Sequence, residues 1–348
     1  MPKRASPIHK ACIRHYTSDE RMKHMVTVAV VGVGGMGKTH LDNLRSMENV
    51  KIDSICDPNP SIAALAEELE AGYYTDLDEL LSHTAAEIVM VFTPTFLHAR
   101  QIEAVLRSGR HCISEKPLCL SSKQAAGLFA LADEMRVCLY VAQVLHFTKE
   151  YQLLEEIVRS GRYGRVKDAF FYRLTERPKW LTGSWLFDPE KSGLIPYDLH
   201  IHELDFIVSL FGRPAAARRH QALAQAQQEH YRFLYSYDDL TVCAEASWYN
   251  APIPFTHGFR LCFEHAVVVY ENQRFVAFEE GAAGETLLME TPAADGGTAI
   301  NVSSPLPYLH ELEHFFACAF ENKKSDVVKE ENVLIVLETL EALLEKGA

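Results

Sequence analysis

The sequence predicts an α/β domain built on a parallel sheet, followed by an α+β domain with a large antiparallel sheet. Three observations support this prediction. An apolar run, residues 26–31, leads through a glycine-rich turn directly into a helix-compatible segment. Apolar runs and amphipathic segments then alternate up to about residue 145, as parallel strands and their crossover helices do. The rhythm changes after about residue 146, and beyond residue 211 the two-residue alternation typical of strands dominates.

The bulk composition restricts the class of protein. The 348 residues fit about two domains of roughly 150 residues each. With 47 acidic and 34 basic residues the formal net charge is −13, so no nucleic-acid partner is expected. No run approaches the roughly 18 consecutive apolar residues of a membrane span, so no membrane partner is expected. The eight cysteines include no C-x-x-C pair and fit a reducing, cytoplasmic compartment.

The elements of the first domain follow from short apolar runs and from apolar residues at helical spacing. Residues 1–24 precede it; they are polar and lack the apolar core of a secretory signal, so they are predicted to be a disordered extension. The first domain is expected over residues 25–145. Its strands are predicted at residues 26–31, 50–56, 73–75, 87–92, 111–114 and 138–144, and its helices at 36–47, 62–71, 76–82, 98–108 and 122–134.

The second domain is expected over residues 146–348, with a helix at 151–160 and a strand at 165–174. The loop 175–185 combines aromatic and cationic residues; it could line a substrate mouth or simply be a surface loop. The remaining predicted elements are helices at 195–211, 308–320 and 331–345, and strands at 231–237, 240–248, 258–264, 267–270 and 275–278. Residues 281–300 are rich in Gly and Ala and are predicted to be a mobile connection.

The glycine-rich turn fits two kinds of phosphate site, because both place backbone amides and a helix N-terminus beside an anion. As G-x-G-x-x-G, the residues Gly32, Gly34 and Gly37 predict a dinucleotide site. As G-x-x-x-x-G-K-[ST], the same stretch predicts a P-loop, with Lys38 on phosphate and Thr39 on magnesium. The turn alone therefore leaves an oxidoreductase and a nucleotide hydrolase open.

Two further groups of residues suit a dinucleotide enzyme. Asp57 lies twenty residues past Gly37, the spacing at which a carboxylate receives the adenosine ribose hydroxyls. Lys116, in Glu115-Lys116-Pro117, follows a predicted parallel strand. Ligands bind outside the carboxyl ends of such strands, so Lys116 is expected beside the nicotinamide, where it could hydrogen-bond a reacting oxygen. A surface lysine before a turn proline is the alternative interpretation of this tripeptide taken alone.

An acid–base pair is predicted on the helix at 195–211. Asp198, His202 and Asp205 occur at i, i+4 and i+7, which places them on one helix face. A carboxylate one turn from a histidine can set its tautomer and stabilise its cationic form. His200 is expected to point elsewhere, and a solvated polar face is the alternative interpretation.

A zinc-peptidase motif, H-E-x-x-H, occurs at His310 to His314. We interpret it as part of an ordinary amphipathic helix, and no metal is expected. The apolar stripe of that helix consists of Leu309, Leu312, Phe316, Ala319 and Phe320.

Taken together, the motifs resemble the Gfo/Idh/MocA family of oxidoreductases, from about Val26 to the C-terminus. The resemblance rests on Gly32–Gly37 with His40, Asp57, Thr93-Pro94 with His98, Glu115-Lys116-Pro117, Gly161-Arg-Tyr-Gly-Arg-Val166, and Asp198 with His202. It implies a Rossmann domain followed by an α+β domain with a large, mostly antiparallel open sheet, which often serves as an oligomer interface. A homodimer or homotetramer is therefore expected. The P-loop interpretation leaves the later motifs unexplained and is rejected.

The resemblance also implies hydride transfer between a sugar, inositol or related polyol hydroxyl and a nicotinamide cofactor. In this interpretation Lys116 binds the reacting hydroxyl, His202 takes its proton, and Asp198 orients and charge-balances both. NAD is favoured over NADP, because Asp57 would repel a 2′-phosphate and Pro58-Asn59-Pro60 offers no cation to hold one. The expected cofactor-binding residues are Gly32, Gly34, Gly35, Met36, Gly37, Asp57, Thr93, Pro94, His98, Glu115 and Lys116.

The substrate side is less defined by the sequence. The residues expected to contact substrate are His146, Arg177, Trp180, Trp185 and Tyr197. Two departures from the family pattern concern this side: Leu194 stands where the family often has a second glycine, and His146 stands where many relatives have arginine. Two other functions remain open: a dinucleotide-binding sensor without turnover, and a glycosidase of the same fold that retains its NAD.

Overall fold

Two β-sheets organise the computed structural model, in which residues 25–178, 185–225, 228–290, 302 and 304–345 are described. One sheet is parallel and six-stranded, and the other is mixed, mostly antiparallel and eight-stranded. The predicted fold class is thereby confirmed. Trp180, which was expected to contact substrate, lies outside the described residues.

The parallel sheet is built from the first part of the chain. Its strands are β1 (Val26–Val31), β2 (Val50–Cys56), β3 (Gly72–Tyr74), β4 (Ile88–Val91), β5 (His111–Glu115) and β6 (Leu139–Ala142). The connecting helices are α1 (Gly35–Ser46), α2 (Ile62–Glu68), α3 (Leu77–His83), α4 (Thr95–Arg107) and α5 (Ser122–Met135). The strand order β3-β2-β1-β4-β5-β6 reverses direction at β1 and β4, and ligands bind at such a switch point. Central β4 is buried at every residue, which explains its uninterrupted apolar run.

The second sheet follows a 3-10 turn (Val144–Phe147) and helix α6 (Lys149–Ser160). Its strands are β7 (Val166–Glu176), β8 (Ala216–Gln225), β9 (Gln228–Ser236), β10 (Thr241–Tyr249), β11 (Thr256–Phe263), β12 (Ala266–Glu271), β13 (Arg274–Glu279) and β14 (Glu285–Glu290). Their order is β14-β13-β12-β11-β7-β10-β9-β8. Among these described strands, β7 and β10 form the only parallel pair. Strand β7 lies at the centre of this otherwise antiparallel sheet.

The two edge strands of this sheet were not predicted. Strand β8 contains Arg218, Arg219 and His220 in succession, which interrupts the alternation of apolar and polar residues. Strand β14 lies within residues 281–300, which the sequence assigned to a mobile connection; that prediction is wrong for residues 285–290. Edge strands are held mainly by backbone pairing to one neighbour and bury few side chains, so their hydrophobic pattern is weak.

The helix predicted over residues 195–211 is also wrong, since the chain forms several shorter helices there. A 3-10 turn (Trp185–Phe187) and α7 (Pro189–Ser192) precede α8 (Leu194–Asp198) and α9 (Ile201–Phe211). At the joint between α8 and α9, the His200 N–H donates to the carbonyl of Ile195, five residues earlier, at 2.9 Å. Asp198 and His202 therefore lie on either side of a helix break rather than one turn apart on a single helix.

The last two helices return to the parallel sheet. Helix α10 (Leu306–Phe320) places Phe315 against the ring of Tyr140 on β6, with centroids 5.2 Å apart. The Tyr140 hydroxyl donates to the carbonyl of Lys323 at 2.8 Å. Helix α11 is Glu330–Glu345, and its Glu341 accepts a hydrogen bond from the backbone amide of Ser122 at 2.8 Å. Within the described ranges, no helix is long and apolar enough to cross a membrane.

Candidate functional site

The glycine turn between β1 and α1 has three glycines with three different requirements. Gly32 has a φ of +92°, in the left-handed region that favours glycine. A Cβ on Gly37 would lie 2.1 Å from the carbonyl oxygen of Gly32, so only glycine lets the helix approach the strand this closely. A Cβ on Gly34, by contrast, would meet nothing within 4 Å. The space beside Gly34 is therefore a cradle that a side chain would occupy.

The start of α1 offers donors to that cradle. Gly34 is the N-cap residue of α1 and has no side chain to cap the helix. The backbone amides of the first turn, at Gly35 and Met36, therefore receive no side-chain cap. Such an N-terminus binds anions. The Asp57 carboxylate at the end of β2 accepts hydrogen bonds from the amides of Val33 and Asn59, each at 2.8 Å. An anion cradle with an adjacent carboxylate fits the pyrophosphate and ribose of a dinucleotide.

Lys38 and Thr39, the phosphate and magnesium ligands of the rejected P-loop interpretation, behave as ordinary residues of α1. The Lys38 amide donates to the carbonyl of Gly34 at 3.0 Å, and its side chain is exposed. The Thr39 hydroxyl donates to the carbonyl of Gly35 at 3.3 Å.

Alanine substitutions should separate the two roles of the glycines. Gly34→Ala is expected to fold normally, because φ is −74° there, but to weaken NADH binding at least tenfold by filling the cradle. Gly37→Ala is expected to lower the stability by about 1–3 kcal/mol through overpacking. Thermal denaturation and NADH titration of both variants measure these effects. Unchanged NADH affinity in folded Gly34→Ala would contradict the assignment of the cradle.

The loops after β4 and β5 are joined by His98, which is 1% exposed. Its Nδ1 lies 2.8 Å from the carbonyl oxygen of Pro117, and its Nε2 lies 2.8 Å from that of Thr93. Burial lowers the pKa of His98, and a neutral imidazole donates to one of these carbonyls at a time. Pro94 is the N-cap residue of α4. His98 therefore holds the two cofactor loops together from beneath instead of presenting its ring at the surface.

Glu115 has a comparable supporting position at the end of β5. Its Oε1 lies 3.0 Å from Nε2 of His40, and its Oε2 accepts the backbone amide of Lys116 at 3.1 Å. The His40 ring in turn stacks on Phe92, with centroids 4.2 Å apart. This buried chain fixes the backbone from which the Lys116 side chain projects.

Lys116 reaches from the parallel sheet to the joint between α8 and α9. Its ammonium donates to the backbone carbonyl of Asp198 at 2.5 Å and lies 3.4 Å from the Asp198 Oδ1. The lysine side chain is 6% exposed and the aspartate side chain 30% exposed. The structure thus brings together the predicted lysine and aspartate, which lie 82 residues apart in the chain.

His202 is the third predicted catalytic residue, and it is 2% exposed. Neither ring nitrogen has a hydrogen-bond partner among the described residues. Burial lowers the pKa of His202 well below its usual value, and the nearby positive charges of Lys116 and Arg173 lower it further. The ring is therefore neutral, and no described protein group engages either nitrogen. In the described residues, the Asp198 carboxylate makes no hydrogen bond to His202 and so does not set its tautomer.

Asp205, expected on the same face, is engaged elsewhere. Its Oδ2 lies 2.6 Å from Nε2 of His146, and both residues are buried. The His146 ring lies 5.7 Å from that of Phe206. His146, expected to contact substrate, is thus held inside the core by Asp205.

A buried ion pair next to His202 was missed by the sequence interpretation. The Arg173 Nε donates to both carboxylate oxygens of Glu203, at 2.8 and 2.9 Å, and both residues are at most 1% exposed. Arg173 follows Ala169 and Phe171 on the inward face of β7. The alternation of β7 contained the signal, because it placed an arginine at a position that the pattern marks as buried.

Three further residues predicted to contact substrate are Arg177, Trp185 and Tyr197, and each contacts neighbouring residues in the structure. The Arg177 guanidinium carbon lies 4.3 Å from the ring centroid of Phe187. The ring of half-buried Trp185 lies 6.2 Å from that of Phe96, an exposed residue of α4 that the sequence interpretation did not single out. Tyr197 is buried, and its hydroxyl donates to the carbonyl of Leu120 at 3.2 Å.

The departure at Leu194 strains the backbone in the structure. This residue has a φ of +56°, a left-handed conformation that strains a non-glycine residue. Its amide donates to the hydroxyl of Ser192 at 2.9 Å, which helps to hold the turn. A glycine would adopt the same backbone conformation without strain.

The H-E-x-x-H residues serve the packing of α10. Glu311 is fully buried, and its pKa is raised well above the usual value by burial and by the charge of Glu115. Nε2 of His314 lies 2.8 Å from the Ser325 hydroxyl. In the part of the chain that the structure describes, no group of three or more His, Cys, Asp and Glu residues could hold a metal ion.

Comparison with known proteins matches the chain in two adjacent parts. Residues 26–143 match the model of an oxidoreductase family with an NAD-binding Rossmann fold. Residues 151–268 match the model of the GFO/IDH/MocA C-terminal domain.

Named relatives and solved structures agree with these matches. The chain is 28% identical over 188 residues to 2,7-anhydro-N-acetylneuraminate hydratase of Escherichia coli (strain K12), covering 54% of this chain and 50% of the relative. It is 27% identical over 189 residues to inositol 2-dehydrogenase/D-chiro-inositol 3-dehydrogenase of Lactiplantibacillus plantarum, covering 52% and 51%. The chain thus spans about half the length of the curated relatives it matches.

The fold resembles that of levoglucosan dehydrogenase solved with NADH and levoglucosan. The TM-score is 0.79 at 18% identity, with 92% of this chain and 96% of that chain covered. At this identity the likeness concerns the fold alone. The two family models cover more than half of the 348 residues, and the chain therefore belongs to the Gfo/Idh/MocA family of oxidoreductases.

Proposed function

We propose that this protein is an NAD-dependent dehydrogenase that acts on a hydroxyl group of a sugar, inositol or related polyol. The observation that supports this most is the position of Lys116, whose ammonium joins the cofactor loop after β5 to Asp198 at the helix joint. His202, buried and neutral, follows on the other side of that joint. A hydrogen-bond donor and a neutral base are the two groups that oxidation of an alcohol requires.

The geometry of the candidate cofactor site supports the assignment of NAD. The open cradle at Gly34 would receive the pyrophosphate, and Asp57 would accept the ribose hydroxyls. Thr93 and Pro94 line the same end of the sheet, with the Thr93 hydroxyl donating to Gln101 at 2.5 Å. Bound NAD supplies the hydride acceptor of the reaction.

The protein groups have separate roles in the proposed mechanism. The Lys116 ammonium donates a hydrogen bond to the substrate oxygen and stabilises the negative charge that develops there. A neutral nitrogen of His202 accepts the hydroxyl proton, since no protein group among the described residues occupies it. The Asp198 carboxylate balances part of the charge of Lys116 and so weakens the repulsion between the ammonium and the protonated imidazole.

The proposal is tested with the purified full chain. NADH titration should quench the tryptophan fluorescence, and a panel of sugars, inositols and polyols should include at least one compound that supports NAD reduction. The panel should include levoglucosan and inositols, because those are the compounds in the names of the related proteins. Cofactor binding without turnover of any compound would favour the sensor function instead.

A second candidate is a reaction without net oxidation, in which the cofactor is retained. It is favoured by the relative named as a hydratase, a class of enzyme that produces no net change in NAD. The retained-cofactor glycosidase belongs to the same group of reactions. Purified protein that still contains NAD, and converts an anhydro sugar or glycoside without accumulating NADH, would support this candidate.

The charge of Asp57 should determine the choice between NAD and NADP. Asp57→Asn keeps one side-chain oxygen, which can accept one of the two backbone amides, and removes the charge that repels a 2′-phosphate. Two charges a few ångströms apart at a protein surface interact by about 1–3 kcal/mol, so the NADH over NADPH preference should fall about tenfold. Titration of wild type and variant with both cofactors measures the ratio. An unchanged ratio would show that Asp57 does not set the preference.

We also infer that the protein forms a homo-oligomer whose copies pair through the second sheet. We further infer that it is located in the cytoplasm. Strands β9, β13 and β14 expose Leu234 (38%), Phe278 (47%) and Leu287 (50%), and apolar side chains on a sheet are typical of an interface between copies. Light scattering coupled to size exclusion tests this, since a monomer at micromolar concentration contradicts it.

A further inference from the structure

The joint between α8 and α9 is held by a histidine that the sequence interpretation set aside. His200 is fully buried, and its ring stacks on that of Phe233 with centroids 3.8 Å apart and an interplanar angle of 4°. Its Nε2 lies 2.6 Å from the hydroxyl oxygen of Tyr235. Both partners belong to β9, so the second sheet fixes the position of this joint.

The backbone at the joint departs from a regular helix in a way that matters for Lys116. The His200 amide bonds to the carbonyl of Ile195 at 2.9 Å, five residues back instead of four. In a continuous α-helix the carbonyl of Asp198 would accept the amide of His202. Here that carbonyl accepts the ammonium of Lys116 at 2.5 Å. The opening of the helix thus creates the acceptor that anchors the lysine.

We propose that His200 and Tyr235 act as a brace that keeps this joint open and thereby positions Lys116 for the reaction. The inference rests on the proposed function and adds two positioning residues to it. Neither residue need touch the substrate. Loss of the brace would let Asp198 and His202 close into a regular helical turn, and the Lys116 ammonium would lose its backbone acceptor.

The brace is suited to a positioning role because it carries no charge. Burial, with a smaller effect of the Arg173 charge, lowers the pKa of His200 to about 3. Burial likewise raises the pKa of Tyr235 well above its usual value. The hydrogen bond therefore joins two neutral groups across the working pH range, and neither group exchanges protons with the site.

Two conservative variants test the brace. Tyr235→Phe removes the hydroxyl that bonds to His200 and leaves the stacking of His200 on Phe233 in place. His200→Phe keeps an aromatic ring at the joint but removes the hydrogen bond. Tyr237→Phe is the matched control, because its hydroxyl also donates one hydrogen bond, to the carbonyl of Gly212 at 3.2 Å, away from the joint. We expect kcat to fall at least tenfold in both brace variants, with KM and the NADH Kd within about twofold of wild type. The control should retain wild-type kcat.

A second readout does not depend on turnover. Reductive methylation of lysines, quantified by mass spectrometry of the peptide that contains Lys116, reports whether its ammonium is anchored. We expect the methylation rate at Lys116 to rise at least fivefold in the brace variants and to stay unchanged in Tyr237→Phe. Thermal denaturation identifies folded variants; if His200→Phe does not fold, Tyr235→Phe decides the test alone.

The possible outcomes separate this inference from the proposed function. The brace is overturned if the wild type is active and the folded brace variants have the same kcat and the same Lys116 methylation rate as the wild type. An equal loss in Tyr237→Phe also overturns it, because the effect would then be one of general stability. Absence of wild-type turnover overturns the proposed function, while the methylation rates still decide whether the brace anchors Lys116.

Discussion

Lys116→Ala is expected to lower kcat by about 10²–10³-fold while NADH affinity stays within about twofold of wild type. Removal of one hydrogen-bond donor to a developing oxyanion has an effect of this size in other enzymes. It corresponds to about 3–4 kcal/mol of transition-state stabilisation. The effect should be large here because the lysine side chain is 6% exposed, so little water can replace its ammonium.

A control variant, in which another lysine is replaced by alanine, shows whether the loss of turnover is specific to Lys116. Lys123 is exposed on α5, and Lys123→Ala should leave kcat and KM unchanged. Steady-state kinetics with the best compound of the panel, together with NADH titration, measure both variants. Thermal denaturation shows whether Lys116→Ala remains folded. Turnover retained by folded Lys116→Ala would remove this residue from the proposed mechanism.

His202→Ala is expected to lower kcat by about 10²–10⁴-fold, the usual contribution of a general acid–base group. The neutral imidazole is the only state that can accept a proton, and burial with the charges of Lys116 and Arg173 keeps the ring in that state. NADH binding should persist, because the cradle at Gly34 is formed by other residues. His310→Asn, on α10, is the control that removes an imidazole outside the site and should retain full activity.

The pH dependence gives the same residue a second test. The pKa of His202 in the folded protein lies below the ordinary value of 6.5. The base becomes protonated, and activity falls, only when the pH drops through that lowered pKa. The acid limb of kcat/KM should therefore lie below pH 6.5, and wild-type activity should persist at pH 6. A limb centred at or above pH 7 would show that His202 is not the neutral base of the free enzyme.

Much of the backbone of the candidate cofactor site could be predicted from the sequence, because local conformation and topology determine it. Gly32 and Gly37 are required by a positive φ and by a close backbone contact. Asp57 and Lys116 follow strands β2 and β5, and the carboxyl ends of parallel strands share one edge of a sheet. These positions are fixed once the alternation of strands and helices is recognised.

The acid–base side could not be predicted as well, because its contacts join residues far apart in the chain. The spacing of Asp198 and His202 indicated one helix face, but the chain opens between them. Asp205 pairs with His146, and Arg173 pairs with Glu203, at sequence separations of 59 and 30 residues. The edge strands β8 and β14 were missed for a related reason, since backbone pairing to a neighbour decides them.

The sequence by itself therefore determined the fold class, and it predicted the place of the dinucleotide and the candidate catalytic residues Lys116 and His202. The spacing of residues along the chain is sufficient to predict the fold class and these candidate sites, because it reflects the period of strands, helices and turns. Only the tertiary structure decided how Lys116 is held and why His202 is neutral. Both depend on the second sheet, which buries His200 against Phe233 and places Arg173 beneath α9. Burial and charge depend on neighbours in space, and the local pattern of residues does not contain them.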